Sequence, residues 1–387
     1  VKFDRAALRE VVSISDRTGV LSFYLNADPR EETSSRPAWR IRFRNALSEL
    51  RGRVMAGEDR TRRTAVLKRL EGLERSFRRL LDPTESGLGR VMFAPVGDGE
   101  VRVFSFQLPV VDQVVLEPTA YVRPLVNTVE AAPPAGIVVV CRDGLRVIDY
   151  RYGMVEDIGR SSYGVGVEDW RDMRGPAPSE FSQQGVSHRE RFASRVEDNL
   201  ARLLRADAPQ LGAHAAGRGW TTLVLVGDVQ LTGVLAGELS GDVIQIDAVV
   251  DPLSSVKIVE YVGPQLKAAR TRYGAGLANR AKDAALAGGR GVLGLRDTLH
   301  ALNESRVANL LLDESREWSG SRTDYGMLHL PGEIPPGESE KTLVPESAMG
   351  ERMIERALDI DAEVTVLDRE ASRILADYDG VAAIMRW

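Results

Sequence analysis

The chain has 387 residues, 43% of them hydrophobic and 28% charged, with one cysteine and a formal net charge of −5. Such a length supports two or three cores, and the acidic balance argues against a protein that coats nucleic acid indiscriminately, which needs broad phosphate neutralisation. The lone Cys141 excludes an intramolecular disulfide framework and a multi-cysteine zinc site.

The opening Val1-Lys-Phe-Asp-Arg5 carries no signal-peptide apolar core, and the longest apolar runs are short strands such as Ile137–Cys141 and Leu223–Val226. A soluble, cytoplasmic, monomeric protein is the expectation, with no membrane partner.

In chain order, an amphipathic helix is expected around Arg5 to Ser13 and a strand at Val20–Leu25. Helical stretches follow at about 37–54 and 60–81, then strands at Val91–Ala94, Val101–Phe106 and Val114–Leu116. Between Arg40 and Arg79 stand thirteen Lys/Arg against five Asp/Glu, a surplus of +8. A nucleic-acid face is one reading. The other is an amphipathic helical hairpin with a solvated charged face, which the helical spacing of Ile41, Leu47, Leu50, Val54, Leu67, Leu70, Leu73, Phe77 and Leu80 favours.

Ala131-Ala-Pro-Pro-Ala135 ends this first section, 1–130, because tandem prolines continue neither a helix nor a central strand. A middle section, 131–255, opens with strands at 137–141, 144–150 and 155–158, turning at Asp143-Gly144 and Tyr152-Gly153. Residues 170–187 are irregular. A helix from Ser187 to Arg205 follows, with Ser187 and Glu190 in capping-box spacing, then strand Thr222–Val226, helix Val229–Leu239 and strand Val243–Ile246.

The third section, 256–387, begins in a long helical pattern expected to break near Tyr273-Gly-Ala-Gly276. Strands at 307–312, 362–366 and 381–385 alternate with helices at 349–358 and 370–376, an α/β/α sandwich. Residues Ser315 to Ser347, rich in Gly, Pro, Ser and charge, are expected to be an insertion or mobile loop. The fold class is therefore α/β, α+β mixed, with each domain a mixed sheet flanked by helices.

Motifs are sparse. Gly289-Arg-Gly-Val-Leu-Gly294 spells GxGxxG, yet it follows a helix instead of a strand, so helix stop and loop glycines explain it better than a dinucleotide site. His188, His214, His300 and His329 show no metal-ligand spacing, and the acidic runs at 168–169, 197–198 and 359–361 form no hydrolytic constellation. GxSxG, P-loop and HExxH strings are absent from the sequence. No cofactor or metal is expected.

The segment Phe181-Ser-Gln-Gln-Gly-Val-Ser-His-Arg-Glu-Arg-Phe192 remains, a polar glycine-bearing stretch running into a basic helix with Arg195 and Arg202. Together with Val20–Pro29, Trp39–Leu47, Ala357–Val364 and Gly380–Trp387, its place in the chain resembles the class 1 translation termination factors of eukaryotes and archaea, with Pelota. The resemblance extends in particular to their bacterial relatives, the release-factor-like group that includes the hibernation factor Balon.

That resemblance implies an elongated three-domain, tRNA-like architecture: a decoding-side first domain, a middle domain directed at the peptidyl-transferase centre, and a third that docks a translational GTPase such as EF-Tu. Anchoring on Arg191-Phe192 puts Gly185, Val186 and Ser187 where the family carries GGQ, so the second glycine and the glutamine are missing. In the family that glutamine positions the hydrolytic water, and Ser187 is too short to replace it. Enzyme activity is therefore not expected, with Gln184 the candidate catalytic residue if peptidyl-tRNA is hydrolysed after all.

The implied function is binding of the ribosomal A site and its rRNA, in hibernation or stalled-ribosome recognition, through Gln183, Gln184, Gly185, Ser187, His188, Arg189, Arg191, Arg195 and Arg202. An active release or rescue factor and a non-ribosomal RNA- or protein-binding module are the alternatives.

Overall fold

The computed structural model describes residues 5–28, 38–85, 87–163 and 184–387. It is a mixed α/β protein that divides into two compact units: Val1–Ala131 together with Thr271–Trp387, and Ala132–Arg270.

The first unit begins with α1 (Arg5–Val12) and β1 (Ser15–Asn26), followed by α2 (Ala38–Ala56), α3 (Arg60–Gly72) and α4 (Glu74–Leu80). β2 (Gly89–Pro95), β3 (Arg102–Phe106), β4 (Gln113–Thr119) and α5 (Arg123–Ala131) complete this segment. The sheet order is β3-β2-β1-β4, and every pair is antiparallel, unlike the mixed sheet expected here. Alternation along β1 sends Leu21, Phe23 and Leu25 into a core capped by Trp39, Phe43 and Leu50 of α2, with Val66 and Leu70 of α3. Phe77 sits edge-on to Phe23 and Phe43, at 5.2 and 5.4 Å between ring centres. The expected single helix at 60–81 is two, because the chain leaves α3 at Leu73 and restarts.

The carboxyl-terminal segment of the same unit carries the second half of α8 (Ser255–Leu286), β10 (Gly291–Leu293), α9 (Gly294–Asn303) and β11 (Val307–Asp313). Then come β12 (Gly320–Arg322), β13 (Leu328–His329), β14 (Val344–Glu346), α10 (Met349–Asp359), β15 (Glu363–Leu367) and β16 (Val381–Met385). The main sheet, β10-β16-β11-β15, is mixed, with β11 and β15 parallel. Three expectations change. α8 runs unbroken through Tyr273-Gly-Ala-Gly276, and Gly274 lets it approach Leu367 closely, where a Cβ would stand 3.1 Å from that side chain. Residues 315–347 are not a plain loop: β12 lies between β13 and β14 in a small antiparallel sheet, beside buried Trp318 and Leu328. Ala371–Leu375 is a 3-10 turn, not an α-helix.

The two segments of this unit meet around α10. Glu351, fully buried, accepts the backbone N–H groups of Val122 and Arg123 and so caps the start of α5. Thr119 donates to Glu355, Arg352 donates to both, and Arg123 pairs with Glu317.

The second unit is a three-layer sandwich. β5 (Ala135–Cys141), β6 (Gly144–Arg151) and β7 (Met154–Ser162) form an antiparallel meander, and β8 (Thr222–Gly227) and β9 (Val243–Asp247) add in parallel on the other side of β5, giving β7-β6-β5-β8-β9. Val138 and Val140 of β5 face α6 (Gln184–Arg218) and α7 (Val229–Glu238), while Ile137 and Val139 face Ile258 and Val262 of α8. Gly144 takes the hairpin turn at φ +148°, where a Cβ would collide with the Ser161 carbonyl.

Candidate functional site

The candidate site follows from the length of α6. Its 35 residues amount to roughly 52 Å of helix, against roughly 20–27 Å for strands of six to eight residues. Leu200, Leu204, Ala208 and Leu211 form the stripe that packs on the sheet, and it runs from about the middle of the helix toward its carboxyl end. Gln184 therefore precedes the first described core residue of the helix by about sixteen residues, roughly 24 Å.

Two groups of contacts hold the packed half. Tyr163, buried just after β7, donates its hydroxyl to Asp207 of α6 at 2.8 Å, and its backbone N–H bonds the Asp143 carbonyl at 2.7 Å. Burial and the adjacent Asp207 carboxylate push the Tyr163 phenol well above its usual range, so it stays a donor. At the far end of α6, Asp149 of β6 is 2% exposed and accepts from both guanidinium arms of Arg151, at 2.7 and 2.9 Å, from Arg218 at 3.1 Å and from the Trp220 indole. Asp207 and Gln184 are about 23 residues apart on one helix, roughly 35 Å. Tyr163 and Asp149 thus grip α6 well down the rod from Gln184.

The helix begins at Gln184, three residues before Ser187, so Ser187 is not the N-cap its capping-box spacing with Glu190 implied. Gln184, Gly185, Ser187, His188, Arg189, Arg191 and Arg195 all lie in its first turns; their side chains, like Gln183 altogether, fall outside the described residues. Arg202 is exposed on the helix and donates to Asn199 at 2.8 Å, while Arg205 pairs with Glu238 at 3.5 Å. Helical spacing puts positions 191, 195 and 202 on one face, with Asp198 among them, opposite the Leu200–Leu211 stripe. Position 189 falls on the stripe side.

The other motifs resolve into structure. In Gly289–Gly294 a short strand, β10, does precede helix α9, contrary to the context expected for that string, but Gly291 serves close packing: a Cβ there would stand 2.1 Å from the Ala281 carbonyl of α8. The start of α9 is already occupied, since Asp379 accepts the Leu295 N–H at 3.1 Å, so a phosphate has no place there. Glu197 and Asp198 are exposed on α6, and Asp361 pairs with Arg9. Burial and the nearby Asp251 push the Cys141 thiol up to about 11, away from nucleophile chemistry. Among the described residues no group of three His, Cys, Asp or Glu is placed to hold a metal ion, and no helix is long and apolar enough to cross a membrane.

The positioning residues Asp149, Tyr163 and Asp207 are ones that sequence reasoning passed over. Asp149 carried a signal, being an acid inside the apolar alternation of β6.

The chain is 22% identical over 227 residues to the uncharacterized protein YocB of Bacillus subtilis (strain 168), covering 58% of this chain and 84% of that protein. Among solved structures it is similar to an archaeal translation termination factor, aRF1, with 18% identity, 99% and 96% of the two chains covered and a TM-score of 0.26. It is also similar to archaeal Pelota in a model of ribosome-bound Pelota and ABCE1, with 15% identity, 77% of each chain covered and a TM-score of 0.40. The model of bacterial archaeo-eukaryotic release factor family 5 matches residues 133–257, nearly the whole of the second unit and all of α6. The likeness to the bacterial release-factor-like family thus runs through that middle unit.

Proposed function

We propose that the protein is a ribosome-associated translation factor that occupies the A site, with the amino-terminal end of α6 directed at the peptidyl-transferase centre, and that it does so without hydrolysing peptidyl-tRNA. The observation that carries this reading is the rod itself: within the family-matched unit, Gln184–Arg195 stand at the end of α6 remote from the stripe that packs on the sheet. Gly185, Val186 and Ser187 at the GGQ positions support the non-hydrolytic part, since no glutamine there can place a water. Hibernation and recognition of stalled ribosomes are the roles that fit an occupant of this kind. In this reading the chain is organised as three domains, 1–130, 131–255 and 256–387, the third docking a translational GTPase such as EF-Tu.

Arg191, Arg195 and Arg202 would face phosphates along one side of the helix, with Gln183 to His188 at its tip. Reversing Arg191 and Arg195 together to glutamate should weaken ribosome binding at least tenfold near 100 mM salt and make the plot of log affinity against log salt shallower by about two. Arg189→Glu, on the other face, should have a smaller effect. Equal affinity and slope for the wild type and the double variant would sink the assignment.

A further inference from the structure

The strongest charge asymmetry lies outside α6, in the helical layer α2–α4. The whole chain carries −5, yet residues 40–79 carry thirteen basic and five acidic side chains. In an ordinary solvated layer these charges would be balanced by carboxylates at helical spacing or from the strands below. Here many are not. Arg40 donates to the Leu81 carbonyl at 2.8 Å, Arg53 to Val114 at 3.1 Å, Arg62 to Thr18 at 2.8 Å and Arg69 to Gly99 at 2.8 Å. A neutral carbonyl fixes a guanidinium in position but cancels none of its charge.

A second set has no such tether. Arg44, Arg51, Arg60, Lys68 and Arg75 are exposed, and among the described residues none of them takes part in an ion pair within 4.0 Å. Among the same residues, carboxylates neutralise only Arg42, Arg78 and Arg79 of the layer, through Asp112, Glu74 and Glu85. The result is one set of positive charges held by backbone carbonyls and a second, exposed set without such tethers, over the same apolar core.

We propose that the outer face of α2–α4 binds the phosphate backbone of double-stranded RNA without reading its sequence. Twelve of the thirteen cations are arginine, whose planar fork matches phosphate oxygens two at a time, whereas a surface made only for solubility has no need of that geometry. The face offers no exposed aromatic stacking platform, because Trp39, Phe43 and Phe77 are buried, so unpaired bases have nothing to stack on and a duplex backbone is the better fit. Arg40 and Arg90 both lie over the Trp39 ring, at 5.3 and 5.5 Å, which ties the cationic surface to the core beneath it. The rest of the chain is net acidic, which disfavours broad phosphate binding elsewhere.

Binding at this face is independent of the role proposed for α6, and its test leaves α6 intact. Fluorescence anisotropy with a labelled duplex RNA of about 20 base pairs and arbitrary sequence is measured for the full chain across a salt series, against Arg44→Gln, Arg51→Gln and Arg60→Gln combined. The wild type is expected to bind at low salt, and the triple variant to bind at least tenfold more weakly with a slope shallower by about two to three. Circular dichroism of the triple variant should match that of the wild type, since these positions are exposed, and an Arg191→Glu, Arg195→Glu variant should retain more of the duplex affinity than the triple variant does. Identical affinity and slope for wild type and triple variant would overturn the proposal. So would binding to vesicles of phosphatidylserine and phosphatidylcholine with none to the duplex, which would assign the face to a membrane surface.

Discussion

Replacing Asp149 with alanine should destabilise the middle unit by about 1–3 kcal/mol, the cost of removing a buried carboxylate that accepts several charge-assisted hydrogen bonds. Arg151, Arg218 and the Trp220 indole all donate to this one carboxylate at the end of β6. Burial pushes the Asp149 pKa up, but the hydrogen bonds from Arg151 and Trp220 and the charges of Arg151 and Arg218 outweigh it and hold the carboxyl below its usual range. The native state therefore holds fewer protons than the unfolded chain, so the stabilisation is full above the unfolded carboxylate pKa, about 4, and is lost as pH falls through the lower folded value. Hydrogen exchange of the intact chain checks this: Asp149→Ala should lose protection in β5, β6 and the last turns of α6, and Asp149→Asn should flatten the acid limb. Protection equal to that of the wild type at about pH 7 would contradict the anchoring role.

The second large effect concerns Glu351 in the first unit, and its sign is opposite. Burial, reinforced by the neighbouring Glu355 carboxylate, pushes Glu351 up to about 8 against the pull of the Val122 and Arg123 N–H groups and Arg352. A carboxyl that keeps its proton longer when folded contributes stability that is complete below the unfolded value, about 4.5, and disappears as pH rises toward 8. Denaturant unfolding followed at several pH values should show the first unit weakening across that window. Glu351→Gln removes the titrating group and should flatten the profile, while costing about 1–3 kcal/mol near pH 5 because its amide cannot accept from both backbone donors. A wild-type profile that is flat, or that rises with pH, would contradict this account.

Much of the fold is legible from apolar pattern alone. Ile137–Cys141 and Leu223–Val226 are continuous apolar runs rich in valine, which is how strands buried on both faces read, and they become the adjacent central strands β5 and β8. The failures are places where packing overrides local chemistry. Pro209 stands inside α6, and a helix ending near Arg205 is the natural reading; yet Ala208 and Leu211 on either side of it are buried against the sheet, and that burial carries the helix on to Arg218. Gly274 and Gly276 read as a break, but Gly274 lets α8 pass close to Leu367 of β15, and the helix continues. The strands within 315–347 are two or three residues long, too short to leave a periodic trace, and their pairing is visible only in three dimensions.

The candidate site was legible in a different way. Its residue types and its place in the chain could be read from Phe181–Phe192, because they rest on order and spacing. Its geometry could not, since the separation between Gln184 and the sheet depends on where α6 begins packing, which Leu200, Leu204, Ala208 and Leu211 decide jointly with β5 and β8. Asp149, Tyr163 and Asp207 are far apart in sequence and acquire a common purpose only when the helix is laid on the sheet.

The most direct test of ribosome association is co-sedimentation of the purified full chain with vacant ribosomes and with separated subunits, across a salt series and with EF-Tu supplied. Pelleting that is strongest with whole ribosomes and falls steeply as salt rises is the predicted result. Failure to pellet with ribosomes at low salt, in the presence of EF-Tu, would contradict it and leave a binding module unrelated to the ribosome.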